Sequence, residues 1–323
     1  MDLSSSIKEF GKLIAGANHI LMVQPNPLDT DSIASSLALK RIFEKLGKKT
    51  SAFSAKSIPE SLRYIPGWEE FKAKLPKDFD AAVLVDGEPQ RELVEDHKNI
   101  FSSKPFVHFD HHKTRPAFPF PVMEVVDSKA SATGELVYQA AEELNWLIDK
   151  EIGELIGFSI MLDTVYFTTP SMRPRTFETL TAITHLGVDI ADLFRQDMEV
   201  SGYDLDLLKY KAQLIDRIEI HAEGKIGFVV IPREEYEKYK DRLRPMDLII
   251  YDIQRLKGVD LALVLTEQPD GIKGSMRTNM PIAGKVAKHF GGGGHDAAAA
   301  FFIQNGSLEQ AKEEVLEVIK SLI

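Results

Sequence analysis

The sequence predicts an α/β fold: a domain built on a mostly parallel sheet, joined by a helical linker to a smaller α+β domain. Three observations predict it. In the first half, short apolar runs alternate with stretches of helical periodicity; from about Pro174 to Tyr210 the pattern is helical and charged with no strand signal; beyond that, strand-like runs are interspersed with three helical stretches. The composition fits. The chain has 323 residues, 44% hydrophobic content, 39 Lys and Arg against 49 Asp and Glu, and no cysteine, which is ordinary for a globular protein and long enough for two domains. A chain of this size buries roughly three quarters of its unfolded surface. Folding therefore needs no metal, and any metal serves chemistry.

Each element follows in order. Residues 18–24 (NHILMVQ) form an apolar run followed by a Pro/Asn/Asp-rich turn, and Ser32–Leu46 then shows Ile33, Leu37, Ile42, Phe43 and Leu46 at helical spacing. This reads as strand, loop, helix. Further strands are expected at Ala81–Val85, Phe106–Phe109 and Met123–Val126, with helices at Ala132–Leu144 and Lys150–Leu162. Gly187 punctuates two helices in the strandless stretch. In the second half, strands are expected at Ile218–His221, Ile226–Ile231, Asp247–Gln254, Asp260–Thr266 and Ile272–Met276, and helices near Glu234–Lys240, Pro281–Phe290 and Leu308–Leu322. The domain expectation is 1–190, a helical linker 191–215, and 216–323. The longest apolar runs, such as Ala81–Val85, are far too short to span a bilayer, and MDLSSSIKEF lacks a basic segment followed by an apolar one, so a cytoplasmic location is expected.

Charge and cysteine content exclude whole classes of function. A net charge of −10 argues against a footprint for long duplex nucleic acid but leaves small anions open. Without cysteine there is no disulfide framework, thiolate zinc site, iron–sulfur cluster or thiol nucleophile. The remaining ligands are histidine and carboxylate. Asp29 and Asp31 lie where the first strand gives way to a helix, the place where ligand sites gather in open α/β sheets. Taken alone, Asp31 or Thr30 capping that helix accounts for them. Asp86 ends the run 81–85, and Asp110 ends 106–109 and is followed at once by His111 and His112. Asp163 closes an apolar helix, where the helix dipole disfavours a carboxylate unless a cation is near.

Asp29, Asp31, Asp86, His111 and Asp163 together are oxygen donors with one imidazole, a set suited to Mn²⁺ or Mg²⁺. Two such ions roughly 3.5–4 Å apart can activate a water and stabilise both oxygens of a displacement at phosphorus, which points to phosphoester hydrolysis. Near the C-terminus, Gly291, Gly292, Gly293 and Gly294 precede His295. Their backbone N–H groups can converge on an anion, and His295 and Arg277 can donate to phosphate. A flexible connector is the plain alternative for the glycines, and a surface position for Arg277. Tyr166 and Phe167 divide evenly between a core role and lining a base pocket; Trp68 and Trp146 are read as packing residues.

In this order and spacing, these segments resemble the DHH phosphoesterase superfamily, in its branch of nano-RNases and 3′-phosphoadenosine 5′-phosphate phosphatases. The resemblance rests on Asp29-x-Asp31, Asp86, Asp110-His111-His112, Ala130-Ser131-Ala132-Thr133-Gly134-Glu135, Leu162-Asp163-Thr164 with Phe167, and Gly291–His295. It implies a domain bearing two Mn²⁺ ions, a smaller associated domain that binds substrate, and an active site in the cleft between them. Asp29 and Asp86 would hold one ion, and Asp31, Asp86, His111 and Asp163 the other. Asp110 would orient a histidine, His112 would face the scissile phosphate, and Arg277 with Gly291–His295 would grip a terminal phosphate. The implied substrate is a small nucleotide or short oligonucleotide, and a homodimer is compatible with the family.

Two departures concern the metal loop and one the C-terminal loop. Gln24 stands where family members usually have a metal-binding histidine, Leu28 is an added residue, and 297–300 is an unbroken alanine run where a glycine is usual. An amide oxygen is a poorer transition-metal ligand than imidazole. This leaves open Gln24 as a ligand to a weaker ion, Mg²⁺ in its place, or an empty second position. The rival readings are a nucleotide-binding regulatory protein with an impaired metal site and an inorganic pyrophosphatase.

Overall fold

The computed structural model describes residues 2–87, 97–112, 117–240, 242–294, 297–304 and 306–322. In the unit Met1–Gly202, six strands form one sheet: β1 (His19–Val23), β2 (Lys49–Phe53), β3 (Phe71–Lys72), β4 (Ala81–Val85), β5 (Phe106–Asp110) and β6 (Met123–Val126), in the order β3-β2-β1-β4-β5-β6. Every neighbouring pair is parallel. The strands read as unbroken apolar runs because both faces are covered, and all five residues of β4 are buried. Ile20, Met22, Val83, Val85, Val107 and Phe109 face the larger core. That core is closed by α1 (Leu3–Gly16), α2 (Thr30–Lys45) and, beyond the short α3 (Lys98–Phe101), by α4 (Thr133–Glu143) and α5 (Lys150–Asp163). Leu21, Val23, Ala82, Leu84 and Phe106 alternate onto the opposite face, against Phe53, Phe79, Phe101 and Phe120.

Trp146 packs as the sequence indicated. Its ring meets Phe10 and Phe43 edge-on, with centroids 5.8 and 5.9 Å apart. Four labelled elements of this unit were not expected, one of them the four-residue α3. α1 lacks the alternation with strands that drew attention elsewhere, although Ile7, Phe10 and Ile14 give it a buried stripe. β2 buries only Ala52 and Phe53 fully, and β3 is two residues long, so neither stands out as an apolar run.

Helices α6 (Pro174–His185) and α7 (Ile190–Ser201) complete the first unit, and α8 (Leu205–Asp216) opens the second, Tyr203–Ile323. The second unit contains β7 (Glu219–His221), β8 (Ile226–Ile231), α9 (Arg233–Tyr239), α10 (Ile250–Gln254), β9 (Leu261–Gln268), β10 (Gly271–Thr278), α11 (Ala283–His289), β11 (Gly293–Gly294), β12 (Ala298–Ile303) and α12 (Leu308–Lys320). Its sheet runs β11-β12-β10-β9-β8-β7 and is mixed, β8 and β9 alone being parallel. One face packs on α11 and α12, the other on α8, α9 and α10.

The strand expected over Asp247–Gln254 is a correction: Pro245–Leu248 is a 3-10 turn, and Ile250–Gln254 is helix. A short apolar run does not distinguish strand from buried helix, and Pro245 at the start of the turn has the backbone angle that a helical turn needs. Among the described residues, no helix is long and apolar enough to cross a membrane.

Candidate metal centre

In a parallel sheet of this order, connections from β1 and β4 leave toward opposite faces, opening a crevice at their carboxyl ends. Gln24, Asp29 and Asp31 follow β1, and Asp86 follows β4. Asp29 is the N-cap of α2: its Oδ1 accepts the Ser32 N–H at 2.8 Å, and the Ser32 hydroxyl donates back to the Asp29 carbonyl at 3.0 Å. The cap thus belongs to Asp29 rather than to Asp31 or Thr30. Asp31 is turned inward and 2% exposed. The hydroxyls of Ser35 and Ser159 donate to its Oδ1 at 2.7 and 2.6 Å, and the Thr133 N–H donates to Oδ2 at 2.8 Å. α4 begins after Ala132, which has no capping side chain. Its free N–H groups are instead taken by Asp31 and by Ser159 Oγ, which accepts the Gly134 N–H at 2.8 Å. A Cβ on Gly134 would lie 2.2 Å from that oxygen, so glycine is required for the approach.

Asp86 and Gly87 have φ of 64° and 58°, a left-handed pair that turns the chain sharply off β4. Asp tolerates this region better than most residues, and the turn holds the Asp86 carboxylate over the strand end, where Oδ1 accepts the Thr133 hydroxyl at 3.0 Å. Asp110, at the end of β5, is buried, and its Oδ1 accepts the backbone N–H groups of His111 and His112 at 2.8 and 3.1 Å. The same oxygen lies 2.8 Å from His112 Nδ1, so the histidine that Asp110 orients is His112. His112 Nδ1 also lies 3.3 Å from Asp86 Oδ1, and its side chain is half-exposed.

His111 brings the cluster together. Its Nδ1 lies 3.2 Å from the Ala130 carbonyl, which can only accept, so that nitrogen carries the proton and the Nε2 lone pair points the other way. Nε2 is buried without a hydrogen-bond partner. It lies 3.5 Å from Asp31 Oδ2, 3.7 Å from Asp86 Oδ1 and 3.4 Å from Asp163 Oδ2. Ligand atoms of Asp31, His111 and Asp163 fall within 4.8 Å of one another, as do those of Asp86, His111 and His112. A lone pair facing three carboxylates is repulsive unless a cation lies between them, so these residues fit a divalent metal. A second orphan, Gln24 Oε1, is buried while its amide donates to the Ser32 carbonyl at 3.4 Å.

The protein groups alone show the same conflict. Burial, then the Asp31 charge, pushes Asp86 up to about 7. Asp163, on the rim, is raised to about 7 by desolvation and then by Asp31. Asp29 is raised by burial and Asp31. Burial works against a charged His111, but Asp31, Asp163 and Asp86 outweigh it and raise the ring. His112 is pushed up to about 11 by its hydrogen bonds to Asp110 and Asp86. For Asp110, burial is more than offset by His112 and His108, and its carboxyl falls to about 2. Sequence reasoning gave no role to Ser35 or Ser159, and named Thr133 only as part of the segment 130–135. Helical spacing offered a signal: Ser35 lies four residues after Asp31, and Ser159 four before Asp163, hence on the same faces.

The glycine loop belongs to the second unit. Gly293 and Gly294 form β11 and pair with Ala300 and Ala299. Close packing requires two of the four glycines: a Cβ on Gly292 would lie 2.3 Å from the Ala300 carbonyl oxygen, and one on Gly294, at φ 138°, 2.5 Å from Ala299 Cα. Gly291 needs its φ of 71°, whereas Gly293 has open space around it. Arg277 on β10 is half-buried; it donates from Nη1 to the Met276 carbonyl at 2.9 Å and lies 5.8 Å from the ring of Tyr251, a neighbour not anticipated from the sequence. His295 lies outside the described residues.

Carboxylates and an imidazole at the crevice of a parallel sheet make a site that could hold a divalent metal, the setting of a metal-dependent phosphoester hydrolase. Residues 19–161 match the DHH family, N-terminal domain, and residues 245–323 match the DHHA1 domain. The chain belongs to the DHH phosphoesterases with a C-terminal DHHA1 domain. It is similar to the bifunctional oligoribonuclease and PAP phosphatase NrnA of Thermus thermophilus, 27% identical over 90% of this chain and 86% of that protein. It is also similar to the protein of the same name from Bacillus subtilis, 22% identical over 86% of each chain. The solved structure of an exopolyphosphatase-related protein from Bacteroides fragilis shares the fold, with a TM-score of 0.86 and 22% identity over 98% of this chain and 97% of that one.

Proposed function

We propose that the protein hydrolyses a phosphoester in small nucleotides, 3′-phosphoadenosine 5′-phosphate or oligoribonucleotides of a few residues, releasing phosphate or a mononucleotide. The observation that carries this reading is the buried, partnerless Nε2 of His111 facing Asp31, Asp86 and Asp163. These four residues would hold one divalent cation. Asp29 and Asp86 would hold a second, with the orphaned oxygen of Gln24 completing its shell. Oxygen donors with one imidazole suit Mn²⁺ at the first position, and an all-oxygen second position suits Mg²⁺ as well. When bound, such cations supply Lewis acidity to the phosphoryl group and lower the pKa of a coordinated water.

The chain's own residues do the rest. Asp110 fixes the His112 ring through Nδ1 and favours its protonated form, so His112 can donate a charge-assisted hydrogen bond to a phosphoryl oxygen. Arg277, the Gly293 N–H and His295 would receive the terminal phosphate. Substrates lacking that phosphate should be poor. The natural names of the Thermus and Bacillus relatives support the substrate class.

The test is release of phosphate or mononucleotide from 3′-phosphoadenosine 5′-phosphate and from a diadenylate, with Mn²⁺ or Mg²⁺ added, by wild type and Asp86→Ala. Turnover lost in the variant is expected. Nucleotide binding with no turnover, unaffected by Asp86→Ala, would overturn the reading in favour of a binding protein.

A further inference from the structure

The segment Ala130–Glu135 supplies no metal ligand in the reading above, yet it touches three of the four residues proposed for the first cation. The Ala130 carbonyl accepts from His111 Nδ1 at 3.2 Å, the Thr133 N–H donates to Asp31 Oδ2 at 2.8 Å, and the Thr133 hydroxyl donates to Asp86 Oδ1 at 3.0 Å. The segment therefore selects the His111 tautomer and sets the direction of two carboxylates.

What fixes the segment is Glu135, whose side chain is fully buried. Its Oε2 accepts the Ser131 N–H at 3.2 Å, the Ser131 hydroxyl at 2.6 Å and the Thr176 hydroxyl at 2.6 Å. Its Oε1 accepts Arg173 Nε at 2.6 Å and lies 2.5 Å from Arg173 Nη2, which in turn reaches Asp127 Oδ2 at 2.6 Å. A buried charge is costly unless paired and hydrogen-bonded, and here both oxygens are engaged. For stability alone an apolar side chain serves as well as a buried ion pair. A fully satisfied network instead specifies one geometry, and the geometry specified here ends on the proposed ligands.

We propose that Glu135, braced by Arg173 and Thr176, is a positioning residue for the metal centre: it locks Ala130–Thr133 and, through that segment, aims His111, Asp31 and Asp86. This rests on the metal-dependent reading, but it has a readout in the metal-free protein as well.

The test compares wild type with Glu135→Gln, Thr176→Val and Thr176→Ser by three measurements: Mn²⁺ titration calorimetry, the ¹⁵N shifts of the His111 ring in metal-free protein at alkaline pH, and thermal unfolding. Outer-shell partners are worth roughly 10–100-fold in metal affinity. Glu135→Gln should lose affinity in that range, Thr176→Val about tenfold at the low end of it, and Thr176→Ser should recover most of the loss. His111 should be protonated on Nδ1 in wild type and divided between both nitrogens in Glu135→Gln. Folded variants with wild-type Mn²⁺ affinity and an unchanged tautomer would overturn the proposal. Should Glu135→Gln fail to fold, the two Thr176 variants decide. Wild-type protein that binds neither Mn²⁺ nor Mg²⁺ would defeat the metal reading instead, while the tautomer comparison still judges Glu135.

Discussion

The two units differ in what they bury. The parallel-sheet unit buries Asp31, Asp86, Asp110, Glu135, Asp197, Lys40 and His108, whereas the polar residues buried in the mixed-sheet unit are three hydroxyls, Thr266, Ser275 and Thr278, among the described residues. Buried charge is tolerated where partners satisfy it: Asp31, Asp86 and Asp110 belong to the candidate centre, whereas Lys40 is paired with Glu44 and Glu70, and Asp197 accepts the Tyr166 hydroxyl. The second unit offers exposed backbone and a half-buried arginine. Buried charge is thus concentrated in one unit, and variants in each should fail differently.

The largest effect is expected at Asp31. In Asp31→Asn, an amide group faces the Ser159 and Ser35 hydroxyls and the Thr133 N–H, so turnover should fall by more than the roughly 10–100-fold that an outer-shell partner is worth. Stability should fall as well, by about 1–3 kcal/mol for a buried polar group left unsatisfied; steady-state kinetics and urea denaturation measure the two losses. In the second unit, Gly294→Ala should cost about 1–3 kcal/mol, because its φ is 138° and a Cβ would meet Ala299. Calorimetric unfolding reads this directly.

Gly293→Ala sharpens the contrast. Nothing lies within 4 Å of its Cβ position, so unfolding should shift by no more than ~0.5 kcal/mol. If Gly293 binds phosphate, the N–H stays but the added methyl stands in the space the ligand would occupy, so KM should nevertheless rise roughly tenfold with kcat kept. An unchanged KM would reduce the glycines to a structural hairpin.

The smallest effect lies far from chemistry. Glu70 is held at about 2, chiefly by its hydrogen bond to Arg41. Its folded-state value is depressed, so its stabilisation is present above the unfolded value near 4.5 and is lost as pH falls toward 2. Glu70→Gln should therefore flatten the acid limb of an unfolding curve between those values and leave turnover unchanged.

Much of this was legible because parallel strands carry a plain signal. β1, β4, β5 and β6 are short apolar runs, and the residue that ends or follows each of β1, β4 and β5 falls at the carboxyl edge where the crevice lies. The ligand candidates Asp31, Asp86, His111 and Asp163 therefore converge in space as their positions in the sequence suggested. What escaped the sequence depends on three-dimensional partners. Ser159 and Ser35 look like ordinary helix residues until Asp31 is seen between them. The left-handed turn at Val165, Tyr166 and Phe167, with φ of 47°, 55° and 67°, has no glycine to announce it. It turns the Tyr166 hydroxyl to donate to Asp197 at 2.6 Å, a tie that neither a base-pocket nor a simple core reading anticipated.

The convergence on Asp31 has a practical consequence. One carboxylate fastens three helices, α2 through Ser35, α4 through Thr133 and α5 through Ser159. An experimenter wanting an inert but intact enzyme, to trap a nucleotide for crystallography, should leave that knot tied. Asp163, which is hydrogen-bonded to no second helix among the described residues, is the better place to cut.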